Sequence, residues 1–232
     1  MNKNRLFRYA VLLCVITAGG VTTANAAFIL SGTRFIYEEG KKNISIEVTN
    51  TSKDTYGGQV WIDNSATDNT GVFMVPSPPF FKLDAGRKQV LRLMNVNSSL
   101  PNDRESLFYI NVQEIPPKPK QVDGSIIAIA MNTRVKLLYR PKSIMKERLN
   151  AESQVMPEYK NGHLWLKNPT PYYFAITSVK VNGKTMTIPK QKLSSLTTLK
   201  PNDEVDTGIV QAGNVTIGAI NDWGGEQFYE IH

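Results

Sequence analysis

Apolar and polar residues alternate with a period of two along most of this chain, and no other feature constrains its fold as much. Successive side chains of an extended strand point to opposite faces, so alternation predicts strands with one buried face. Residues 43–49 place Ile44, Ile46 and Val48 on one side. Residues 59–63, residues 89–94 and the run holding Phe108, Ile110 and Val112 repeat the pattern, and residues 125–138 extend it into one long strand. Glu39-Gly40, Gly57-Gly58, Asp84-Ala85-Gly86 and Pro116-Pro117 read as turns between strands. About seven short strands within about 115 residues predict an immunoglobulin-like sandwich. The polar residues 142–153 read as a linker. A second β-rich region follows, with strand patterns over residues 163–167, 174–181, 185–188, 214–220 and 227–231. Asn182-Gly183 inside it reads as a type I′ hairpin turn. No stretch of about ten residues carries a helical period.

The amino terminus has a different character. Lys3, Arg5 and Arg8 precede an apolar run over residues 9–18, and small residues then end in Ala24-Asn25-Ala26. This is the layout of a secretory signal peptide cleaved after Ala26, and the run is too short to span a bilayer. The expected division is therefore a signal peptide over residues 1–26, a first sandwich over 27–145 and a second over 146–232. The leader holds three of the 27 basic residues and none of the 20 acidic ones, leaving a net charge of 24 − 20 = +4. That charge is mild and scattered, which argues against a nucleic-acid partner. No later segment is apolar enough for a membrane helix, so no membrane insertion is expected. The single cysteine, Cys14, lies in the leader. Disulfides and thiolate metal sites are thus not expected, and stability has to come from core burial.

Signals of catalysis are weak. The histidines are His163, after a turn-like Asn161-Gly162, and His232; His163 reads as a solvated turn residue, and two isolated histidines make no zinc site. Asp203, Glu204 and Asp206 lack the spacing of a calcium loop, and Pro201-Asn202-Asp203-Glu204 reads as a turn. No phosphate loop, dinucleotide fingerprint or nucleophile elbow is present. The chain is expected to be no enzyme and to use no metal or cofactor.

Along residues 125–138, Ile127, Ile129 and Met131 share one face, and Ile126, Ala128, Ala130 and Asn132 share the other. If the second face packs inward, the first presents three apolar side chains to solvent, which invites pairing with another chain. They equally fit as the core face, and periodicity leaves both arrangements open. Arg34 and Lys136 by themselves read as ordinary surface cations.

Two segments carry more information. Residues 100–117 (LPNDRESLFYINVQEIPP) and 133–141 (TRVKLLYRP) resemble the signature segments of the periplasmic pilus-assembly chaperones, the PapD-like family. Asn168-Pro169-Thr170-Pro171-Tyr172-Tyr173 is similar to that family's second domain. The short connection after Pro117 resembles the short-loop branch, whose clients are usually rod-like pili. The resemblance implies two immunoglobulin-like β-sandwiches set at an angle in an L shape. It implies a periplasmic chaperone that binds pilin subunits by donor-strand complementation and hands them to an outer-membrane usher without ATP. Carried over by position, Ile127, Ile129 and Met131 would fill the groove of the incomplete pilin. Arg34 and Lys136 would anchor the subunit's C-terminal carboxylate, and Glu105, Arg140 and Asp222 would form an interdomain charge cluster. Free chaperone is expected to self-associate through the same edge. The alternative is a secreted structural or adhesive immunoglobulin-like fibre component. Such subunits usually carry a cysteine pair in one incomplete domain, which does not match this chain.

Overall fold

The computed structural model describes residues 26–64, 71–118 and 129–232. Nine strands build the first half: β1 (Phe28–Leu30), β2 (Arg34–Glu38), β3 (Ile44–Asn50), β4 (Tyr56–Asn64), β5 (Met74–Ser77), β6 (Phe80–Leu83), β7 (Lys88–Asn95), β8 (Ser106–Ile115) and β9 (Asn132–Arg140). They form two sheets, in the orders β1-β3-β7-β5 and β2-β9-β8-β4-β6. The alternation explains the packing. Ile46, Val48, Leu91 and Leu93 of one sheet and Phe108, Ile110, Val112 and Leu137 of the other are fully buried in a single core. The second half holds β10 (Met156–Lys160), β11 (His163–Lys167), β12 (Ile176–Val181), β13 (Lys184–Thr185), the short helix α1 (Lys190–Leu196), β14 (Glu204–Ile209), β15 (Val215–Ile220) and β16 (Glu226–Ile231). Its sheets run β10-β11-β14 and β13-β12-β15-β16 around a separate core containing Leu164, Leu166, Val179, Val181 and Ile217. A third, small cluster joins the halves: Leu107 and Leu138 of the first pack on Tyr173 of the second.

One crossing positions everything that follows. β1 pairs with β3 in one sheet; within a few residues the chain enters the other sheet as β2, parallel to β9. The register sets Arg34 opposite Lys136 and Glu38 opposite Arg140. β9 begins four residues before Lys136, so among the described residues its outer edge over 132–135 has no strand partner.

Several expectations need correction. Gly57-Gly58 is no turn but the start of β4, paired with β6 and β8. Gly58 is there for space, since a Cβ would lie 2.2 Å from the Phe81 ring. The strand expected over residues 125–138 starts at Asn132, and residues 119–128, with Ile127, lie outside the described residues. Residues 142–153, between the two halves, are ordered and not merely polar: they form two 3-10 turns, Lys142–Glu147 and Ala151–Gln154, and bury Ile144, Arg148, Ala151 and Glu152. The strand expected from Phe174 starts at Ile176, and the one over residues 185–188 shrinks to Lys184–Thr185. His163 opens β11 beside Asp206, its Nδ1 3.4 Å from Oδ2, instead of standing free in a turn. The Asn182-Gly183 turn is as expected, with positive φ at both residues.

Candidate functional site

The two halves meet over the outward face of the β2-β9-β8 sheet, and the alternation of those strands decides which side chains face the joint. Arg34, Ile36 and Glu38 on β2 fall in step with Lys136, Leu138 and Arg140 on β9, and with Tyr109 and Leu107 on β8. The second half places Tyr173 and the segment leading into Asp222 on this row.

At one end of the row stand the two cations. Arg34 Nη1 donates to the carbonyl of Ile220 at 2.6 Å, and Lys136 Nζ donates to the carbonyl of Thr197. With Leu107, Leu138, Tyr173, Phe174 and Ala175 they line one small cavity. Among the described residues neither cation has a carboxylate within ion-pair distance. Burial and, after it, the neighbouring Arg34 bring the Lys136 ammonium down to about 8. Burial also lowers the Arg34 guanidinium, against the attraction of Asp222. Two desolvated positive charges side by side repel; an anion placed between them would relieve both.

At the other end each cation is paired with carboxylates. Arg140 Nε donates to Glu105 Oε1 at 2.7 Å, while its Nη1 and Nη2 donate to the two carboxylate oxygens of Asp222 at 2.6 and 3.1 Å. Glu105 Oε2 accepts the backbone N–H of Tyr173, so this one carboxylate ties both halves together. Arg148 joins the network through Asp222 and through a bidentate pair with Glu152. Burial would raise the Asp222 carboxyl, but the hydrogen bonds and charge of Arg140 hold it below its ordinary value. Burial pushes the Glu105 carboxyl up, against Arg140 and the Tyr173 amide. The sequence brought Glu105, Arg140 and Asp222 to notice; it missed Arg148 and Glu152, because they sit in the supposed linker. Their opposite charges four residues apart were the available signal. The carbonyls of Thr197 and Ile220 leave no trace in side-chain chemistry.

The apolar positions expected to face a partner are only partly described. Ile129 and Met131 are 75% and 44% exposed. They precede β9 and share the odd-numbered parity of Val135 and Leu137, which face the core. The Met131 carbonyl still accepts the Glu114 N–H, which holds the chain on β8 to that point. Among the described residues no helix is long and apolar enough to cross a membrane, and no group of His, Cys, Asp or Glu is placed to hold a metal.

Comparison with known proteins gives this geometry a family. Residues 27–145 match the pili and flagellar-assembly chaperone family, PapD N-terminal domain, and residues 147–231 match the pili assembly chaperone PapD, C-terminal domain. The chain is 43% identical to the chaperone protein FanE of Escherichia coli over 232 residues, covering all of this chain and 98% of FanE. It is 36% identical to the chaperone protein FaeE of Escherichia coli, over 90% of this chain and 80% of FaeE. Among solved structures, the Pseudomonas aeruginosa CupB2 chaperone superposes with a TM-score of 0.73 at 28% identity, over 87% of this chain and 98% of CupB2. The SafB chaperone of Salmonella enterica, solved with the SafA pilin, shares the fold with a TM-score of 0.75 at 23% identity, over 90% and 97% of the chains. These matches favour the chaperone reading over a fibre component, and the chain belongs to the PapD family of pilus-assembly chaperones.

Proposed function

We propose that this protein is a periplasmic chaperone that captures pilin subunits on the open edge of β9 and delivers them to an outer-membrane usher. The observation that carries the reading is the register at the joint. β2 stops at Arg34, opposite Lys136, and leaves the edge of β9 unpaired from there back to Asn132. A strand added to that edge parallel to β9 lies in line with β2. Its carboxyl end then arrives at Arg34 and Lys136, two cations without a carboxylate partner among the described residues. Arginine offers a fork and lysine a point charge to the same anion. Backbone hydrogen bonds along the edge supply register at about 1 kcal/mol net each. Each buried apolar side chain, with Ile129 and Met131 as the described candidates, adds about 1.5–3 kcal/mol. Glu105, Arg140 and Asp222 fix the relative placement of the halves and do not touch the client. In this reading the chain divides into a signal peptide over residues 1–26 and domains over 27–145 and 146–232. The same edge is available to a second copy when no client is bound.

The test is a periplasmic pull-down with wild type, Arg34→Ala and Lys136→Ala, each checked for an unchanged melting temperature. Wild type is expected to retain a small subunit that both variants lose. Retention by the folded variants would remove the carboxylate anchor.

A further inference from the structure

Beyond the anchor, the same sheet face carries a ladder of polar side chains whose place beside the open edge gives it a task. Asn132 Nδ2 donates to Asn111 Oδ1 at 3.1 Å, and Asn111 Nδ2 donates to Asp63 Oδ2 at 2.8 Å. Arg134 Nη2 lies 3.5 Å from the same Asp63 oxygen, and its guanidinium sits 4.1 Å over the Tyr109 ring. The ladder thus runs diagonally from β9 across β8 to β4. Asn111 is buried although it lies on the sheet's outward face, whereas Arg134 stays about half exposed.

Asn132 and Arg134 are the two β9 residues on this face beyond the reach of β2. On an open edge both residue types are obstacles. A charged side chain reaching across its own edge is a common block to strand addition. An asparagine there can turn back and occupy neighbouring backbone groups. Here both side chains are drawn inward, away from the edge, and the receiving end of the inward pull is Asp63. Lys136, next on the same face, is likewise drawn aside, toward Thr197.

We infer that Asp63, through Asn111, is a positioning residue for client capture: it holds Arg134 and Asn132 off the edge of β9 so that an incoming strand meets free backbone. This rests on the edge-binding reading above. It adds that the edge is kept clear by an element outside the joint and outside the exposed apolar face.

The experiment measures binding of a fluorescent strand-length peptide, alternating valine and serine and ending in a free carboxylate, to the full mature chain. An amidated copy serves as the control. In Asp63→Ala, Arg134 keeps its place over Tyr109 but loses its carboxylate. The obstructed state gains population, and apparent affinity is expected to fall about threefold to fivefold. Arg134→Ala alone is expected to bind within about twofold of wild type, since the principal obstacle is gone. The decisive variant is Asp63→Ala combined with Arg134→Ala: removing the obstacle restores binding to the level of Arg134→Ala. A merely structural Asp63 gives no such rescue. Asp63→Asn, which keeps an acceptor for Asn111 without the charge, stands in if Asp63→Ala fails to fold. Undiminished binding by folded Asp63 variants, or a double variant as weak as Asp63→Ala, overturns the inference. If wild type does not prefer the free carboxylate to the amide, the carboxylate anchor fails while the edge inference stands or falls on the rescue. If wild type binds neither peptide, the edge reading fails and this inference with it.

Discussion

Two groups of cations, one buried and one half-buried, lie at the ends of one row of side chains, and they have opposite characters. Arg140 places all three guanidinium nitrogens on Glu105 and Asp222, and Arg148 places both terminal nitrogens on Glu152 and Asp222, leaving its Nε buried without a partner among the described residues. Among the described residues, Arg34 and Lys136 donate to the neutral carbonyls of Ile220 and Thr197 and pair with no carboxylate. A paired buried network is costly to assemble but far costlier to break, because a lone charge stays behind without solvent. Cations without a carboxylate are held at a cost that an incoming anion can relieve. In the proposed reading the difference separates a part that sets geometry from a part that takes a ligand, within a few strand positions of the same sheet.

Breaking the paired side gives the largest expected effect. Arg140→Ala strands Glu105, which is fully buried, and leaves Asp222 with Arg148 alone. The expected loss is about 3–5 kcal/mol in urea unfolding. A loss below about 1 kcal/mol would put this network with exposed ion pairs and erase the contrast. The side without carboxylates should respond the other way. Lys136→Met removes a desolvated charge and keeps an apolar stem of similar length. At pH 7 the relief of that desolvation opposes the loss of the hydrogen bond to Thr197, about 1 kcal/mol, so stability is expected to hold or rise. Client retention is lost. A variant that unfolds and a variant that binds would contradict the contrast from different sides.

How much of this was legible beforehand follows from the kind of signal each part leaves. The strands with one buried face announced themselves: Ile46, Val48, Phe108, Ile110 and Val112 alternate and are fully buried. Strands without alternation did not. β6 (FFKL) is a short edge strand next to the glycines that were read as a turn. Its Phe81 needs the missing Cβ of Gly58, a relation of two distant positions that no local pattern carries. The stretch 142–153 looked polar because Arg148 and Glu152 are charged. Their burial comes from pairing with each other and with Asp222, which lies some seventy residues on in the chain. Arg34 and Lys136 were legible through the flanking segments, not through their own chemistry. That both are tied to carbonyls of the second half follows from the joint alone.

The pH dependence sharpens the same contrast, because binding and stability should move in opposite directions. The Lys136 ammonium titrates at about 8 in the folded chain, against 10.5 for an ordinary lysine, chiefly through burial. The folded state therefore releases this proton before the unfolded state does. The penalty of holding the charge is fully present below pH 8 and is relieved between about 8 and 10.5, so this group makes stability rise with pH across that window. The bound carboxylate needs the ammonium, so client affinity falls over the same window. Titrations from pH 7.5 to 9.5 should show both slopes in wild type, and the stability slope should be absent from Lys136→Met. A stability slope that survives in Lys136→Met would assign it to another group.

The smallest expected effect distinguishes charge from shape at the anchor. Arg34 can donate one N–H to Ile220 and still present others, in a plane, to a carboxylate. Arg34→Lys keeps the positive charge but offers a single ammonium, which must share itself between the carbonyl and the anion. It would also stand closer in character to Lys136, with two compact charges in place of a fork and a point. The loss of the second directed hydrogen bond is expected to weaken client retention by about tenfold, or about 1.4 kcal/mol, with no change in unfolding. Full retention would mean that the site reads charge alone, and that the guanidinium at position 34 serves mainly to hold the carbonyl of Ile220 and, through it, the second half against the first.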